Sequence, residues 1–306
     1  MFKNGVNVIK IGENNILQVG EKKPIAALVS KFYSSNPFPN YNDFETIADL
    51  REKVEKNEFT RNLKKCIGHG KNIIEVGSGT SQLSIALASG TNNQIVAFDP
   101  TLEALKLGSI FAKKSNIVNC IFVNGDLFSN PFENNYFDVV YCSGVLHHTE
   151  NPKEGFKIIT SWLKNDGYII IGLYNYYGRL RTILRQKLFK ILGRGSLARF
   201  LLSFLDPILR QDLSSEKEEA WFNDQYTHPV ESLHTFDEVL KWFNDNNIEY
   251  ISSIPSTDME TLNYKNIFSK KSKGTTFSRI FSQISMLFSR FGSEGGLFLI
   301  VGKKLM

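Results

Sequence analysis

The chain has 306 residues and a hydrophobic content of 42 %, so it exceeds one domain of about 200 residues and we expect an added cap or insertion. The net charge of +5 is mild, and polar residues interrupt positions 1–12, which excludes a signal peptide or membrane span there. Cys66, Cys120 and Cys142 lack metal-binding spacing and cannot all pair. We therefore predict buried free thiols, no metal site and a cytoplasmic location.

The N-terminal residues 1–65 are polar and predicted to be partly helical. They include an aromatic and proline-rich segment, residues 32–41. We expect Tyr33, Asn36 and Tyr41 to belong to a cap that folds over a ligand site. A plain surface loop is the open alternative for the same segment.

The most informative segment is residues 72–80, which read as a buried strand, a glycine turn and a helix start. Gly77 and Gly79 let the backbone bend and approach a ligand, and Thr80 or Ser81 is expected to cap the helix. The third glycine of a dinucleotide fingerprint is replaced by Gln82. The acid Glu75, two residues before the first glycine, would repel a pyrophosphate but suits a ligand with an ammonium group.

The following elements continue an alternation of strands and helices. Residues 94–99 are predicted as a strand that ends in Asp99, 20 residues after Gly79, the spacing of a carboxylate that accepts hydrogen bonds from ribose hydroxyls. Pro152 opens a later helix, where its missing N–H costs nothing. The remaining predicted elements are a helix over 102–114, strands at 120–123, 137–142 and 168–173, and loops at 125–127 and 143–144.

Together, these segments across residues 72–174 resemble the class I S-adenosylmethionine-dependent methyltransferases. The resemblance implies an α/β fold with a Rossmann-like, seven-stranded sheet in the order 3-2-1-4-5-7-6, whose last strand is antiparallel. It also implies S-adenosylmethionine as cofactor and S-adenosylhomocysteine as product. The residues that it places at the cofactor are Glu75, Gly77, Ser78 and Gly79 at the methionine end, Asp99 at the ribose, Gly125, Asp126 and Leu127 at the adenine, and Ser143 and Gly144 at the methyl donor.

The domain division that follows has three parts. Residues 1–65 form an N-terminal cap region, residues 66–175 and 235–306 form the cofactor-binding core, and residues 176–234 form a helical lid insertion. The later part of the core is predicted as a helix over 235–246 and strands at 248–254 and 296–301.

Two amphipathic stretches lie outside the predicted sheet. From Arg179 to Arg210 there are eight Lys or Arg against the single acid Asp206, interleaved with aliphatic residues, and Gly193 and Gly195 are expected to divide the stretch into two helices. A lid with one packed and one solvated face is the first interpretation; membrane-surface contact or an anionic substrate is the alternative. For the second stretch, residues 277–291, we expect packing on the lid or on a second subunit.

Residues for the methyl acceptor are ranked by their position at the carboxyl edge of the sheet. His147 and His148 follow the fourth strand, and either would accept a proton or orient an acceptor. Tyr174 and Asn175 end the fifth strand, and Tyr226 and His228 lie in a polar run between lid and core. A purely structural role is the alternative for each of these six catalytic candidates.

The resulting hypothesis is a methyltransferase that moves a methyl group to a small-molecule acceptor by in-line displacement. One alternative is a lipid or quinone-like acceptor at a membrane surface, which would involve peripheral membrane contact; another is a non-catalytic cofactor-binding protein. Nucleic acid is not expected as a partner, because the basic residues are mixed with aliphatic rather than stacking aromatic residues. The oligomeric state is not predicted.

Overall fold

The computed structural model describes residues 1–12, 15–35, 46–192, 228–258, 266–288 and 296–306, together with residues 200, 222 and 226. Its strands are β1 Val8–Ile11, β2 Ile16–Val19, β3 Asn72–Val76, β4 Gln94–Asp99, β5 Cys120–Gly125, β6 Phe137–Ser143, β7 Leu163–Tyr174, β8 Ile248–Ile254 and β9 Leu297–Lys304. Its helices are α1 Pro24–Ser35, α2 Ile47–Lys56, α3 Glu58–Ile67, α4 Gln82–Ala88, α5 Leu102–Lys114, α6 Pro152–Trp162, α7 Leu180–Leu192, α8 Phe236–Asp245 and α9 Thr276–Ser285.

The strands in the described part of the chain form one mixed sheet in the order β1-β2-β5-β4-β3-β6-β7-β9-β8. The predicted count of seven strands is therefore wrong, because nine are present. The two extra strands, β1 and β2, form an antiparallel hairpin, and β2 pairs in parallel with β5. When the strands from β3 onward are numbered alone, their order is 3-2-1-4-5-7-6. The last strand in the chain, β9, is antiparallel to both of its neighbours, β7 and β8.

The core lies on both faces of this sheet, which explains the continuous apolar runs of its central strands. In β3, Ile73 and Ile74 point to opposite faces and are both fully buried. Ile74 belongs to a cluster that includes Trp162 of α6, whereas Ile73 packs in a second cluster with Ile85 of α4. Because both faces are covered, the carboxyl ends of the parallel strands are left as the place where a ligand can enter.

Helix α6 begins as the sequence indicated. Asn151 is its N-cap and accepts a hydrogen bond from the backbone N–H of Glu154 at 3.1 Å, and Pro152 occupies the first turn.

Of the free cysteines, Cys120 and Cys142 are buried and Cys66 is only partly buried. The cytoplasmic location stays a prediction.

The N-terminal helices pack over the carboxyl edge of the sheet. Ser30 of α1 donates a hydrogen bond to the carbonyl of Pro100 at 2.9 Å, and Lys53 of α2 donates to the side chain of Gln82 at 3.1 Å. The predicted cap residues Asn36 and Tyr41 lie outside the described residues. The three-part domain division stays a prediction, although residues assigned to the cap region extend the sheet as β1 and β2.

The described part of the insertion starts with α7, which is anchored at its first turn. Arg179 is fully buried, forms a salt bridge with Glu231 and lies over the ring of Tyr174 at 3.8 Å. Within the insertion, Phe189, Phe222 and Tyr226 form a small buried cluster. Of the second helix predicted after Gly195, Phe200 alone is among the described residues.

Helix α9 buries polar side chains and exposes apolar ones. Its polar residues Arg279, Ser282 and Gln283 are buried, whereas Phe277 and Phe281 are exposed. The expectation that this apolar stretch packs on the lid or on a second subunit stays a prediction; among the described residues, the guanidinium of Arg181 lies 5.8 Å from the ring centre of Phe288. None of the described helices is long and apolar enough to cross a bilayer.

Candidate functional site

A cavity of about 590 Å³ opens at the carboxyl ends of β3 to β7, beneath α1 and α2. This volume is typical of small-molecule sites. The structure brings all ten predicted cofactor residues to its lining. They are Glu75, Gly77, Ser78, Gly79, Asp99, Gly125, Asp126, Leu127, Ser143 and Gly144.

The turn after β3 requires glycine at position 77 for two reasons. Gly77 has a φ of +71°, and a Cβ atom there would lie 2.1 Å from Cγ2 of Val145. The turn is held to the neighbouring strand because the N–H groups of Gly77 and Ser78 donate to the carbonyl of Phe98 at 2.7 and 3.2 Å. The backbone therefore approaches the cavity closely at this point.

Glu75 caps helix α4, a role that we expected of Thr80 or Ser81. Ser81 stands at the N-cap position without a capping bond, and its hydroxyl lies 3.2 Å from that of Ser78. Oε2 of Glu75 instead accepts the backbone N–H of Ser84 at 2.9 Å and the hydroxyl of Ser84 at 2.5 Å. The carboxylate thus satisfies a free N–H of the first helical turn and is fixed at the cavity wall.

Burial raises the pKa of Glu75 to about 7; the hydrogen bonds from Ser84 lower it, and the negative charge of Asp99 raises it further. Both hydrogen bonds go to Oε2, so Oε1 is available to a donor from a ligand. A ligand ammonium would favour the ionised form of the carboxyl group.

Asp99 is held by two backbone groups at the end of β4. Its Oδ2 accepts the N–H of Gly79 at 2.8 Å and its Oδ1 accepts the N–H of Thr101 at 2.7 Å. Burial raises the pKa of Asp99, and these hydrogen bonds oppose that shift. The side chain of Thr101 also donates to the carboxylate, and because a carboxylate has about four acceptor sites, it retains the capacity to accept a hydroxyl from a ligand.

Asp126 joins the end of β5 to the N-terminal region. Its Oδ1 accepts the N–H of Phe128 at 2.9 Å, and its Oδ2 accepts the N–H of Lys23 at 2.8 Å. The ammonium of Lys23 lies 2.8 Å from Glu150 and 4.8 Å from the ring centre of Phe128. These contacts close one end of the cavity.

Sequence reasoning missed three charged residues of the lining: Glu150, which follows β6, and the two lysines Lys23 and Lys53. Both lysines belong to the N-terminal region, far from the glycine turn in sequence, and no local motif marks them. Tyr33, expected in the cap, also lines the cavity.

Two of the six catalytic candidates, His148 and Tyr174, line the cavity. Nδ1 of His148 lies 2.7 Å from the carbonyl of Val230, and because a carbonyl only accepts, Nδ1 carries the proton and Nε2 is the unprotonated acceptor. Burial, followed by the nearby His228, lowers the pKa of His148 well below 6.5. The ring is therefore neutral at pH 7.

The other four candidates are not among the residues that line the cavity. His147 is fully buried and packs against Tyr174 with ring centres 4.0 Å apart and ring planes tilted by 33°. His228 lies behind His148, with ring centres 3.7 Å apart, and Tyr226 packs on Phe222 in the insertion.

Asn175 is used as a brace at the end of β7. Its amide donates to the side chain of Gln283 at 2.8 Å and to the carbonyl of His234 at 3.3 Å. Its oxygen accepts the N–H groups of Tyr177 and Gly178 at 3.0 and 3.1 Å. With donors and acceptor engaged in this way, the geometry supports the structural alternative for this residue.

Residues 67–247 match the family model described as a methyltransferase domain. The chain belongs to this methyltransferase family. The match includes the glycine turn, the ends of β4 to β7 and the whole of the insertion, residues 176–234. Among the described residues of this methyltransferase, no group of three His, Cys, Asp or Glu side chains is placed to hold a metal ion.

Curated relatives of the methyltransferase share its central part. An uncharacterised methyltransferase, YcgJ of Bacillus subtilis, is 24 % identical over 99 residues, covering 32 % of this chain and 39 % of the relative. The demethylmenaquinone methyltransferase of Renibacterium salmoninarum is 27 % identical over 153 residues, covering 49 % of this chain and 62 % of the relative. The matches thus span less than two thirds of these relatives.

A solved structure shares the fold of the methyltransferase. PKMT2 from Rickettsia typhi, in complex with AdoHcy, superposes with a TM-score of 0.54 at 13 % identity, covering 81 % of this chain and 52 % of that one. At this identity the similarity concerns the fold alone.

Proposed function

We propose that this methyltransferase moves the methyl group of S-adenosylmethionine to a small-molecule acceptor. The observation that carries the proposal is the convergence of Glu75, Asp99 and Asp126, from the ends of three parallel strands, on one cavity behind the glycine turn. Their order on the adjacent strands β3, β4 and β5 suits the ammonium, ribose and adenine parts of one ligand.

The residues fit this cofactor part by part. Oε1 of Glu75 is placed for the ammonium group, and the glycine turn leaves room for the amino-acid tail. The backbone N–H groups of Gly79 and Thr101 fix the orientation of the Asp99 carboxylate. Its remaining acceptor capacity is therefore held in place for the ribose hydroxyls. Ser143 and Gly144 line the cavity beside Tyr174, where the methyl donor is expected.

When bound, S-adenosylmethionine supplies both the methyl group and the driving force for its transfer. The protein has to align the acceptor atom with the methyl group and to exclude water. His148 takes the proton of an acceptor that arrives protonated, because its Nε2 is an unprotonated acceptor in a residue that lines the cavity.

Two measurements test this function. Calorimetry with S-adenosylhomocysteine should show binding to the wild-type protein and at least tenfold weaker binding to Asp99→Asn, with Glu55→Gln as an exposed-acid control. Transfer of radiolabelled methyl groups to a panel of metabolites should then yield a product. Absence of binding by folded protein would contradict the proposal, and binding without any product would favour a non-catalytic binding protein.

A second candidate is a quinone-like or other lipid acceptor. The similarity to a demethylmenaquinone methyltransferase favours it, and so do apolar residues of α1, Ile25 and Val29, that line the cavity. Methyl transfer to a short-chain hydroquinone, measured beside transfer to water-soluble phenols and amines, separates the two candidates. Product from the water-soluble acceptors alone would exclude the lipid acceptor.

A further inference from the structure

Helix α9 presents its apolar residues to the outside of the molecule. Phe277, Phe281 and Phe288, which follows the helix, are 76 %, 51 % and 77 % exposed. Ile280 and Ile284 are also exposed and continue the same stripe, because side chains three, four and seven residues apart share one side of a helix. A continuous apolar face of this kind is uncommon on an isolated soluble surface.

The opposite face of α9 shows that this orientation is fixed by specific contacts. Arg279 forms a salt bridge with Asp237 at 2.6 Å, and the hydroxyl of Ser282 donates to the carbonyl of Ser256 at 2.7 Å. The side chain of Gln283 accepts the backbone N–H of Phe236 at 3.0 Å and the amide of Asn175 at 2.8 Å. Turning the apolar face inward would break all of these contacts and leave buried polar groups without partners.

Helix α7 extends the apolar surface and adds positive charge. The guanidinium of Arg181 lies 5.8 Å from the ring centre of Phe288, and Gly178 packs on Met286, so the start of α7 lies next to the residues that follow α9. Leu184 and Ile191 of α7 are 65 % and 81 % exposed. We define the apolar-basic face as the exposed residues Phe277, Ile280, Phe281, Ile284 and Phe288 with Arg181, Leu184, Lys187, Lys190 and Ile191.

The charge of the apolar-basic face indicates whether a second copy of the chain or a lipid surface covers it. Neither α7 nor α9 contains an Asp or a Glu, and the exposed Lys273 precedes α9. In a symmetric dimer the same patch meets itself, which would place cations of one copy against cations of the other. An anionic lipid surface instead offers negative charge to the basic residues and an apolar layer to the phenylalanines.

We infer that the apolar-basic face docks the protein on an anionic membrane surface. Its aromatic residues enter the boundary between headgroups and acyl chains, and Arg181, Lys187 and Lys190 contact the lipid phosphates. The hydrogen bond from Asn175 to Gln283 ties α9 to the end of β7, whose last residue, Tyr174, lines the cavity. The face is thus linked to the wall of the cavity; the inference itself does not depend on the proposed reaction.

Vesicle co-sedimentation with the full chain tests the inference, using phosphatidylcholine vesicles with and without phosphatidylglycerol. We expect binding to the anionic vesicles that is at least tenfold stronger than binding to phosphatidylcholine alone and that weakens in high salt. The variant Phe277→Ser/Phe281→Ser/Phe288→Ser should bind at least tenfold more weakly, and Lys187→Gln/Lys190→Gln should lose several-fold on anionic vesicles only.

The matched controls lie elsewhere on the surface. Ile110→Ser/Val118→Ser removes exposed apolar residues, and Lys65→Gln/Lys113→Gln removes exposed cations; both should bind like the wild type. Should the triple variant fail to fold, Phe277→Ser alone serves, because that side chain is largely exposed.

Three outcomes would overturn the inference. The first is that the wild-type protein does not bind anionic vesicles, and the second is that the phenylalanine variants bind them as well as the wild type does. The third is that the wild-type protein forms a dimer and does not bind vesicles, and that the phenylalanine substitutions dissociate this dimer. The last would assign the face to a second copy of the chain. Calorimetry with S-adenosylhomocysteine on the same samples separates these results from a failure of the proposed function.

Discussion

Both hydrogen bonds from Ser84 to Glu75 end on the same carboxylate oxygen, Oε2. One comes from the backbone of the first turn of α4 and the other from the hydroxyl, so a single residue fixes the acid at the cavity wall. The second oxygen, Oε1, is left for the ligand. This arrangement makes Glu75 both a helix cap and the proposed contact of the cofactor ammonium group.

The affinity for S-adenosylhomocysteine should rise with pH up to about 7. The pKa of Glu75 is about 7, and only the ionised carboxylate attracts the ligand ammonium. Below that pH, each unit of pH should weaken binding by about tenfold. Calorimetry from about pH 5 to about pH 8 measures the effect. Glu75→Gln should bind weakly at every pH, whereas the control Glu55→Gln should follow the wild type; a flat wild-type profile would contradict the assignment.

The same carboxyl group should affect the stability of the ligand-free protein in the opposite direction. Its pKa is raised from 4.5 to about 7 on folding, so the native state holds the proton more tightly than the unfolded state. Stability should therefore fall as pH rises from about 4.5 to about 7, by at most about 3 kcal/mol relative to Glu75→Gln. Denaturant titrations of both proteins at several pH values test this, and parallel pH profiles would refute it.

Gly77→Ala should destabilise the protein by more than Gly90→Ala. Both glycines have a φ of +71°, but a Cβ at position 77 would lie 2.1 Å from Cγ2 of Val145, whereas a Cβ at position 90 would meet nothing within 4 Å. The control therefore carries only the backbone strain, about 1 kcal/mol, and Gly77→Ala adds a steric clash of about 1–3 kcal/mol. Chemical denaturation gives the difference; equal losses would mean that Val145 moves aside freely.

His148→Asn should lower the rate of methyl transfer to a protonated acceptor by about 10²–10⁴-fold. The substitution removes the acceptor nitrogen Nε2 while affinity for S-adenosylhomocysteine stays within about threefold of the wild-type value, because His148 is assigned to the acceptor and not to the cofactor. Single-turnover assays with radiolabelled cofactor measure the rate. His69→Asn, at an exposed histidine outside the cavity lining, is the control. An unchanged rate of methyl transfer would mean that His148 has a structural role only.

Asn175→Ala should cost stability rather than cofactor affinity. The side chain makes four hydrogen bonds to the backbone or to Gln283, and its loss leaves several buried partners unsatisfied. We expect a loss of about 2–4 kcal/mol in the free energy of unfolding, measured by denaturant titration. Near-normal calorimetry with S-adenosylhomocysteine in the folded variant should accompany it. A normal stability with a lost methyl transfer would instead favour the catalytic role.

The sequence alone was sufficient for the central strands and for the residues at their ends. Continuous apolar runs such as Ile73 and Ile74 identify strands that are covered on both faces, and parallel strands end at one edge of a sheet. Acids and glycines that directly follow such strands must therefore meet, even when Glu75 and Asp126 lie far apart in the chain. This geometry explains why such residues converge, and the resemblance to class I methyltransferases supplied the ten positions proposed for the cofactor.

Only the tertiary structure decided what surrounds that edge. The pairing of β2 with β5, and the approach of Lys23 and Lys53 to the cavity, depend on contacts between distant segments that no local pattern encodes. Helical spacing likewise shows that Phe277 and Phe281 share a face, but not which way the face points. Buried partners for Arg279 and Gln283 settle that question, because leaving those polar groups unpaired in the interior would cost more than exposing the phenylalanine rings to water.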